Sequence, residues 1–146
     1  MGNYEEAAGI LAGRFGKDSI IAVATVKDGR PYVRNVDGYY EEGAFYVVTY
    51  ALSEKMAHIG ENPEVAVCGE WFTARGKGEN MGHVLEGKNN GMMAKLRLAF
   101  ASWYTGGHVS EEDPNTCLLR VRLESGVLFN EGKRYAIDFI KKEALS

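Results

Sequence analysis

Arg34, Thr49, Ser53 and Lys55 are the residues of this chain whose types and spacing point to chemistry. The last three fall in the stretch TYALSEK (49–55), where an apolar run ends and a helical pattern begins. A lysine at a helix start sits on the wrong side of the backbone dipole, at a cost of ~0.3–1 kcal/mol. An anion there removes the cost. Hydroxyls and free backbone N–H groups donate to its oxygens, and two cations balance a phosphate monoester of charge about −2. The same residues also have plain structural roles: Ser53 as a helix cap, Thr49 as a strand residue, Lys55 and Arg34 as solvated side chains. Spacing alone leaves both readings open. Glu54 opposes the anion unless its carboxylate turns to solvent.

Whether Arg34 meets Lys55 depends on the elements that carry them. IIAVATV (20–26) is a β-branched run, KDGR (27–30) a hairpin turn, and PYVRNVDGYY (31–40) opens with a proline where a strand tolerates one. AFYVVTY (44–50) follows EEG, so the three runs read as an antiparallel meander. With EEG as the turn, Tyr40 faces Ala44 and the register carries Arg34 to the neighbourhood of Tyr50. Both faces of the first and third runs are apolar. This predicts a barrel wall covered by a helix or a second subunit.

The remaining pattern is consistent with a barrel. Tyr4, Ala7, Ala8, Leu11, Ala12 and Phe15 share a helical stripe, with Asn3 and Glu6 spaced as a capping pair and Gly16 as a stop. SEKMAHIGEN reads as a short helix capped by Ser53 and ended by Asn62-Pro63. EVAVCGEWF begins another strand, and Gly76, Gly78 and Gly82 predict a bulged or bent continuation rather than a phosphate loop. In GMMAKLRLAFASWY, Met92, Leu96, Phe100 and Trp103 recur at helical spacing. Cys117, Leu119, Val121 and Leu123 alternate with Leu118, Arg120, Arg122 and Glu124, and turns are expected at ESG and NEGK. The class expected is mainly β with flanking helices, an antiparallel barrel in one domain spanning 1–146.

Composition narrows the function classes. Hydrophobic content is 45% and charged content 25%, with no run approaching the ~18 apolar residues of a membrane span. The net charge of −3 gives no general attraction to nucleic acid, so neither nucleic acid nor membrane is an expected partner. MGNYEEAAG carries acids where a signal peptide carries bases, and the expected location is cytoplasmic. Cys68 and Cys117 lack paired spacing and read as small core residues in a reducing compartment. His58, His83 and His108 show no metal-ligand spacing, and no metal is expected. No Ser-His-Asp or Cys-His arrangement stands out, so no catalytic residue is assigned.

Taken together, IIAVATVKDGRPYVRNV, AFYVVTYALSEK and NPEVAV, in this order across residues 20–67, resemble the pyridoxamine 5′-phosphate oxidase-like, FMN-binding split barrels. FTARGKGENMGHV and WYTGGHV are similar to a branch near the nitroimidazole-reductase-like members. The resemblance implies a six-stranded Greek-key split β-barrel working as a homodimer, with FMN in the interface clefts. Carried onto this chain, it places Arg34 and Lys55 on the phosphate and Thr49 and Ser53 as hydroxyl donors. Asn35 and Val36 would lie along the isoalloxazine edge, and Val48 would supply backbone or packing contacts. Trp71, Trp103 and His108 are candidate cleft residues, with core, dimer-packing or surface roles as the alternative.

Oxidase members often carry arginine just before the lysine, where this chain has Glu54. Their long C-terminal pattern for pyridoxamine phosphate is not found after RYAIDFI. The implied function is therefore an FMN-dependent oxidoreductase passing electrons from a reduced nicotinamide donor to a small organic acceptor. The alternatives are a flavin-binding or electron-carrier module without a dedicated substrate, or a split barrel binding haem, a deazaflavin or no cofactor.

Overall fold

The structure is a computed structural model that describes residues 2–146. Helix α1 (Asn3–Phe15) leads into strands β1 (Ser19–Lys27), β2 (Arg30–Glu41) and β3 (Ala44–Tyr50). Helix α2 (Glu54–Glu61) precedes β4 (Glu64–Gly69) and β5 (Phe72–His83). Helix α3 (Asn90–Ala99) and a π-type turn at Tyr104–His108 lead to β6 (Thr116–Asn130), β7 (Lys133–Asp138) and β8 (Glu143–Leu145). The strands form one antiparallel sheet in the order β3-β2-β1-β4-β5-β6-β7-β8, and β3 also pairs with β6. That pairing closes β1 to β6 into a six-stranded barrel, with β7 and β8 as an extension beyond it. Among the described residues no helix is long and apolar enough to cross a membrane.

Side-chain alternation fills the barrel. Ile21 and Val23, Tyr40, Phe45 and Val47, Val65 and Val67, and Leu119, Val121 and Leu123 all point inward into one buried cluster. Helix α1 contributes Ala7, Leu11 and Phe15 to the same core, and α2 contributes Met56 and Ile59. A second cluster lies outside the wall, where Met93, Leu96 and Phe100 pack with Leu118 and Val84. The apolar outer face expected of the third run is therefore covered in part by α3.

Several local expectations are corrected. No side-chain cap is formed at Gly2, the cap of α1, and Asn3 is the first helical residue. EVAVCGEWF is a hairpin rather than one strand, turning at Glu70-Trp71, with Trp71 at φ +52°. ESG is not a turn, because β6 runs through it without a break and Gly126 pairs with both Ala74 and Ile137. Helix α3 buries Met93 rather than Met92 and ends at Ala99, before Trp103. Cys117 is buried, but Cys68 lies on the exposed face of β4, since Val65 and Val67 take the inward positions.

The β2–β3 turn is also one residue tighter than expected. Glu42 and Gly43 both adopt positive φ, as Asp28 and Gly29 do in the β1–β2 turn. Glu41 therefore pairs with Ala44, and Tyr40 with Phe45. The ladder ends after Tyr39–Tyr46, and β3 continues along β6 for the rest of its length. Arg34 pairs with Val23 on β1 instead.

Candidate functional site

The register that fills the core also decides what stands at the end of the barrel. Continuing the inward series on each strand leads to Thr25 on β1, Arg34 on β2, Thr49 on β3 and Cys117 on β6. Helix α2 lies across this end, with Met56 and Ile59 sealing the core beneath it. Proline fixes where β4 starts, and Gly78 lets α2 approach β5, because a Cβ there would stand 3.0 Å from Ile59. The TYALSEK segment thus meets Arg34 across the barrel mouth, not along the β2–β3 ladder.

Two hydrogen-bonded groups meet at the mouth. In the first, Lys55 Nζ donates to Thr49 Oγ1 at 2.5 Å and to Ser53 Oγ at 3.4 Å. Ser53 caps α2, its hydroxyl accepting from the Met56 amide. In the second, Arg34 Nη1 donates to Thr25 Oγ1 at 2.8 Å, Val23 O at 3.2 Å and Tyr32 O at 3.3 Å. Thr25 Oγ1 in turn lies 2.8 Å from His58 Nδ1, and the Tyr32 ring packs on His58 with centroids 4.8 Å apart. Arg34 Nη2 faces Glu54 at 3.9 Å, with Glu54 itself turned largely to solvent.

Charge is unbalanced around Lys55. It is only 7% exposed, and among the described residues it has no carboxylate partner. Burial lowers its pKa from 10.5, and the neighbouring Arg34 lowers it further. A buried ammonium beside a guanidinium, held by hydroxyls alone, is costly without an anion. The first amides of α2 also have no acceptor within the helix. An oxyanion seated here would accept from both cations, from the hydroxyls and from these amides. Beneath Lys55, burial raises the Cys117 thiol above its usual range, which leaves it a core residue rather than a second anion.

The remaining predicted positions lie elsewhere. Asn35 is exposed on the outer face of β2, while Val36 packs against the barrel core. Val48 faces the outer α3 cluster. Trp71 stands at the β4–β5 hairpin tip against Phe129. Trp103 donates to Asp18 Oδ2 at 3.0 Å, at the start of β1 and about 23 Å along that strand from Thr25. The backbone of His108 closes the π-type turn, and its side chain lies outside the described residues. Among the described residues no three His, Cys, Asp or Glu side chains are placed to hold a metal ion.

Thr25 and His58 were missed in the sequence. Thr25 had a legible signal: it shares the inward parity of Ile21 and Val23, so its hydroxyl had to be buried. His58 had a weaker one, falling one helical turn after Lys55 on α2.

A second feature runs along the outer barrel face. A groove of about 790 Å³ crosses β1, β4, β5, β6, β7 and β8, floored by small side chains such as Ala22, Ala24, Ala66 and Ala136 and edged by Val33 and Leu145.

The architecture defines a class, the closed antiparallel split barrels with an anion-suited cluster at one mouth. The chain belongs to the pyridoxamine 5′-phosphate oxidase family, whose sequence profile matches residues 11–129. No curated protein matches the chain by sequence. Solved structures with the same fold include general stress protein 26 from Bacillus anthracis, 15% identical, with a TM-score of 0.67 over 90% of this chain and 99% of that one. A NimC/NimA family protein from Clostridium acetobutylicum is 16% identical, with a TM-score of 0.67 over 97% and 94%. A haem-binding protein from Mycobacterium smegmatis is 13% identical, with a TM-score of 0.71 over 97% of this chain and 60% of that one. At these identities the likeness is one of fold.

Proposed function

We propose that this protein binds FMN with the 5′-phosphate at the barrel mouth and acts as an oxidoreductase, passing electrons from a reduced nicotinamide donor to a small organic acceptor. The observation that carries the reading is Lys55: a buried cation, next to another cation, hydrogen-bonded by hydroxyls and, among the described residues, in ion-pair contact with no carboxylate. A phosphate monoester supplies the missing charge and offers acceptors to the Lys55 ammonium and to Nη2 of Arg34. Family membership supports a flavin as the molecule bearing that phosphate.

The residues present fit such a group. Lys55 and Arg34 would neutralise the phosphate, Thr49 and Ser53 would hold Lys55 in place, and the α2 amides would complete the donor set. When bound, the flavin supplies the redox chemistry, and the protein's share is anchoring, orientation and exclusion of water. The barrel mouth does the anchoring. Asn35, on the outer face next to Arg34, offers an amide toward a ring system lying along the barrel wall.

We place the cofactor at a homodimer interface. The groove of small apolar side chains on the outer wall supports this, because two barrels can approach closely where alanines replace bulkier residues. Light scattering of the purified protein tests it: wild type is expected to be a dimer, and Ala66→Glu a monomer with reduced FMN affinity. The expected location is cytoplasmic.

Titration of the protein with FMN, followed by quenching of flavin fluorescence, tests the main reading. Saturable binding that falls at least tenfold in Lys55→Ala and Arg34→Ala supports it, and wild-type affinity in both variants sinks it. Anaerobic reduction by a nicotinamide donor, followed by reoxidation with nitroaromatic or quinone acceptors, separates an enzyme from a carrier.

A further inference from the structure

Arg34 is held from behind by a buried chain that has no other evident purpose. Thr25 is 0% exposed and His58 is 2% exposed, yet both are polar and they meet at 2.8 Å inside the barrel end. The Thr25 hydroxyl has two partners among the described residues, Arg34 Nη1 and His58 Nδ1. A guanidinium only donates, so Thr25 Oγ1 accepts from Arg34. The hydroxyl proton then has His58 Nδ1 as its acceptor. The tautomer that pairs every group here gives the chain a direction: Arg34 donates to Thr25, Thr25 donates to His58 Nδ1, and the imidazole proton sits on Nε2.

The chain has a geometric result. Nη1 is committed to Thr25 and to the carbonyls of Val23 and Tyr32, which leaves Nη2 at the mouth, where it now faces Glu54. An arginine carries several rotatable bonds, and fixing them before the ligand arrives lowers the entropy lost on binding. Tyr32 completes the support, its ring on His58 and its carbonyl on Arg34.

We propose that Thr25 and His58 are positioning residues for the anion site, a buried relay that aims the Arg34 guanidinium at the ligand phosphate through an ordered Nη1→Oγ1→Nδ1 chain. The proposal rests on the phosphate reading of the site and adds the residues that make Arg34 selective for a phosphate over an uncharged hydroxyl. Neither residue touches the ligand.

The test compares FMN with riboflavin, which lacks the phosphate, on the full-length protein and four variants. Thr25→Val and His58→Leu break the relay with little change of size. Thr25→Ser keeps the hydroxyl, and His58→Asn keeps an acceptor near the Nδ1 position. The breaking variants are expected to lose about tenfold in FMN affinity, the scale of one misplaced charge-assisted hydrogen bond, while riboflavin binding is unchanged. The conservative variants are expected to recover most of the loss.

Nitrogen-15 spectra of the protein labelled at its three histidines supply a readout that does not depend on ligand. One ring is expected to show an unprotonated, hydrogen-bonded Nδ1 that changes in Thr25→Val and persists in Thr25→Ser. FMN binding that needs Arg34 and Lys55 but is indifferent to Thr25→Val overturns the relay and leaves the phosphate site standing. FMN binding that is equal in wild type, Arg34→Ala and Lys55→Ala overturns the phosphate reading and the relay with it. A His58 ring protonated on Nδ1 also overturns the relay, whatever the affinities.

Discussion

Arg34 and Glu54 face each other across the barrel mouth, Nη2 of one 3.9 Å from Oε1 of the other. Glu54 is the residue at which this chain departs from the arginine that family members often carry before the lysine. Its side chain is 69% exposed, so the pair is weak and the carboxylate is free to swing away. On the phosphate reading proposed above it would compete for the guanidinium rather than act as a fixed partner.

Glu54→Gln therefore removes a repulsion when phosphate binds. FMN affinity is expected to rise by about two- to fivefold, the range of an exposed ion pair, and the gain should shrink with added salt. Fluorescence titration at low and high ionic strength checks both parts. Weaker binding in the variant would show that Glu54 helps hold the ligand.

If Lys55 anchors the phosphate as proposed, function and stability are expected to oppose each other there. Lys55→Met removes a buried cation while filling a similar volume, so the ligand-free protein should gain stability on the order of 1 kcal/mol as FMN binding is lost. Urea unfolding with and without FMN measures both effects. A variant less stable than wild type would mean that Lys55 is already compensated.

The same residue predicts a pH dependence. A lysine whose folded pKa lies below 10.5 binds fewer protons when folded than when unfolded. Ligand-free stability should then rise with pH on the alkaline side, up to 10.5. Saturating FMN should flatten the rise, because an anion restores the charged form. Urea midpoints across alkaline pH, with and without FMN, decide it.

Asp37 acts in the opposite sense at lower pH. Burial and then the adjacent Asp18 carboxyl push it from 3.8 to about 6. Among the described residues Asp18 Oδ1 is buried without a partner, while Oδ2 accepts from Trp103, so the carboxyl of Asp37, held protonated, has the Asp18 carboxylate beside it as an acceptor. An acid with a raised folded pKa binds more protons when folded, so stability should fall as pH rises from about 4 through 6. Solvent screening keeps the effect below about 1 kcal/mol. Asp37→Asn should remove this slope and raise the urea midpoint at neutral pH, and an unchanged slope would clear the pair of responsibility.

At the Arg75–Gly76 bulge, a Cβ on Gly76 would stand 2.1 Å from the Arg122 carbonyl oxygen. Gly76→Ala must push β5 from β6 and is expected to cost about 1–3 kcal/mol by chemical denaturation. A near-neutral result would show that the bulge relaxes freely.

The sequence by itself determined the barrel class, because the β-branched and apolar runs of β1 and β3, the alternation in β6 and the Asp28-Gly29 turn are local patterns that neighbouring residues impose. It also marked Ser53 as the cap of α2 and Lys55 as a cation in need of an explanation. The irregularity of β5 at Gly82 was legible for the same reason, since backbone freedom at that position is a property of residue type. What it left open was everything set by pairing between distant strands. The β2–β3 turn is one residue tighter than expected, yet Arg34 still meets the TYALSEK segment, because closure of β3 on β6 and the seating of α2 bring them together at the mouth. Only the tertiary structure put Thr25 and His58 behind Arg34, and moved Cys68 to the surface and Trp103 to the far end of β1. The Thr25–His58 hydrogen bond joins residues 33 positions apart and leaves no local signature in the chain, so that part of the site's support appears only when the barrel closes.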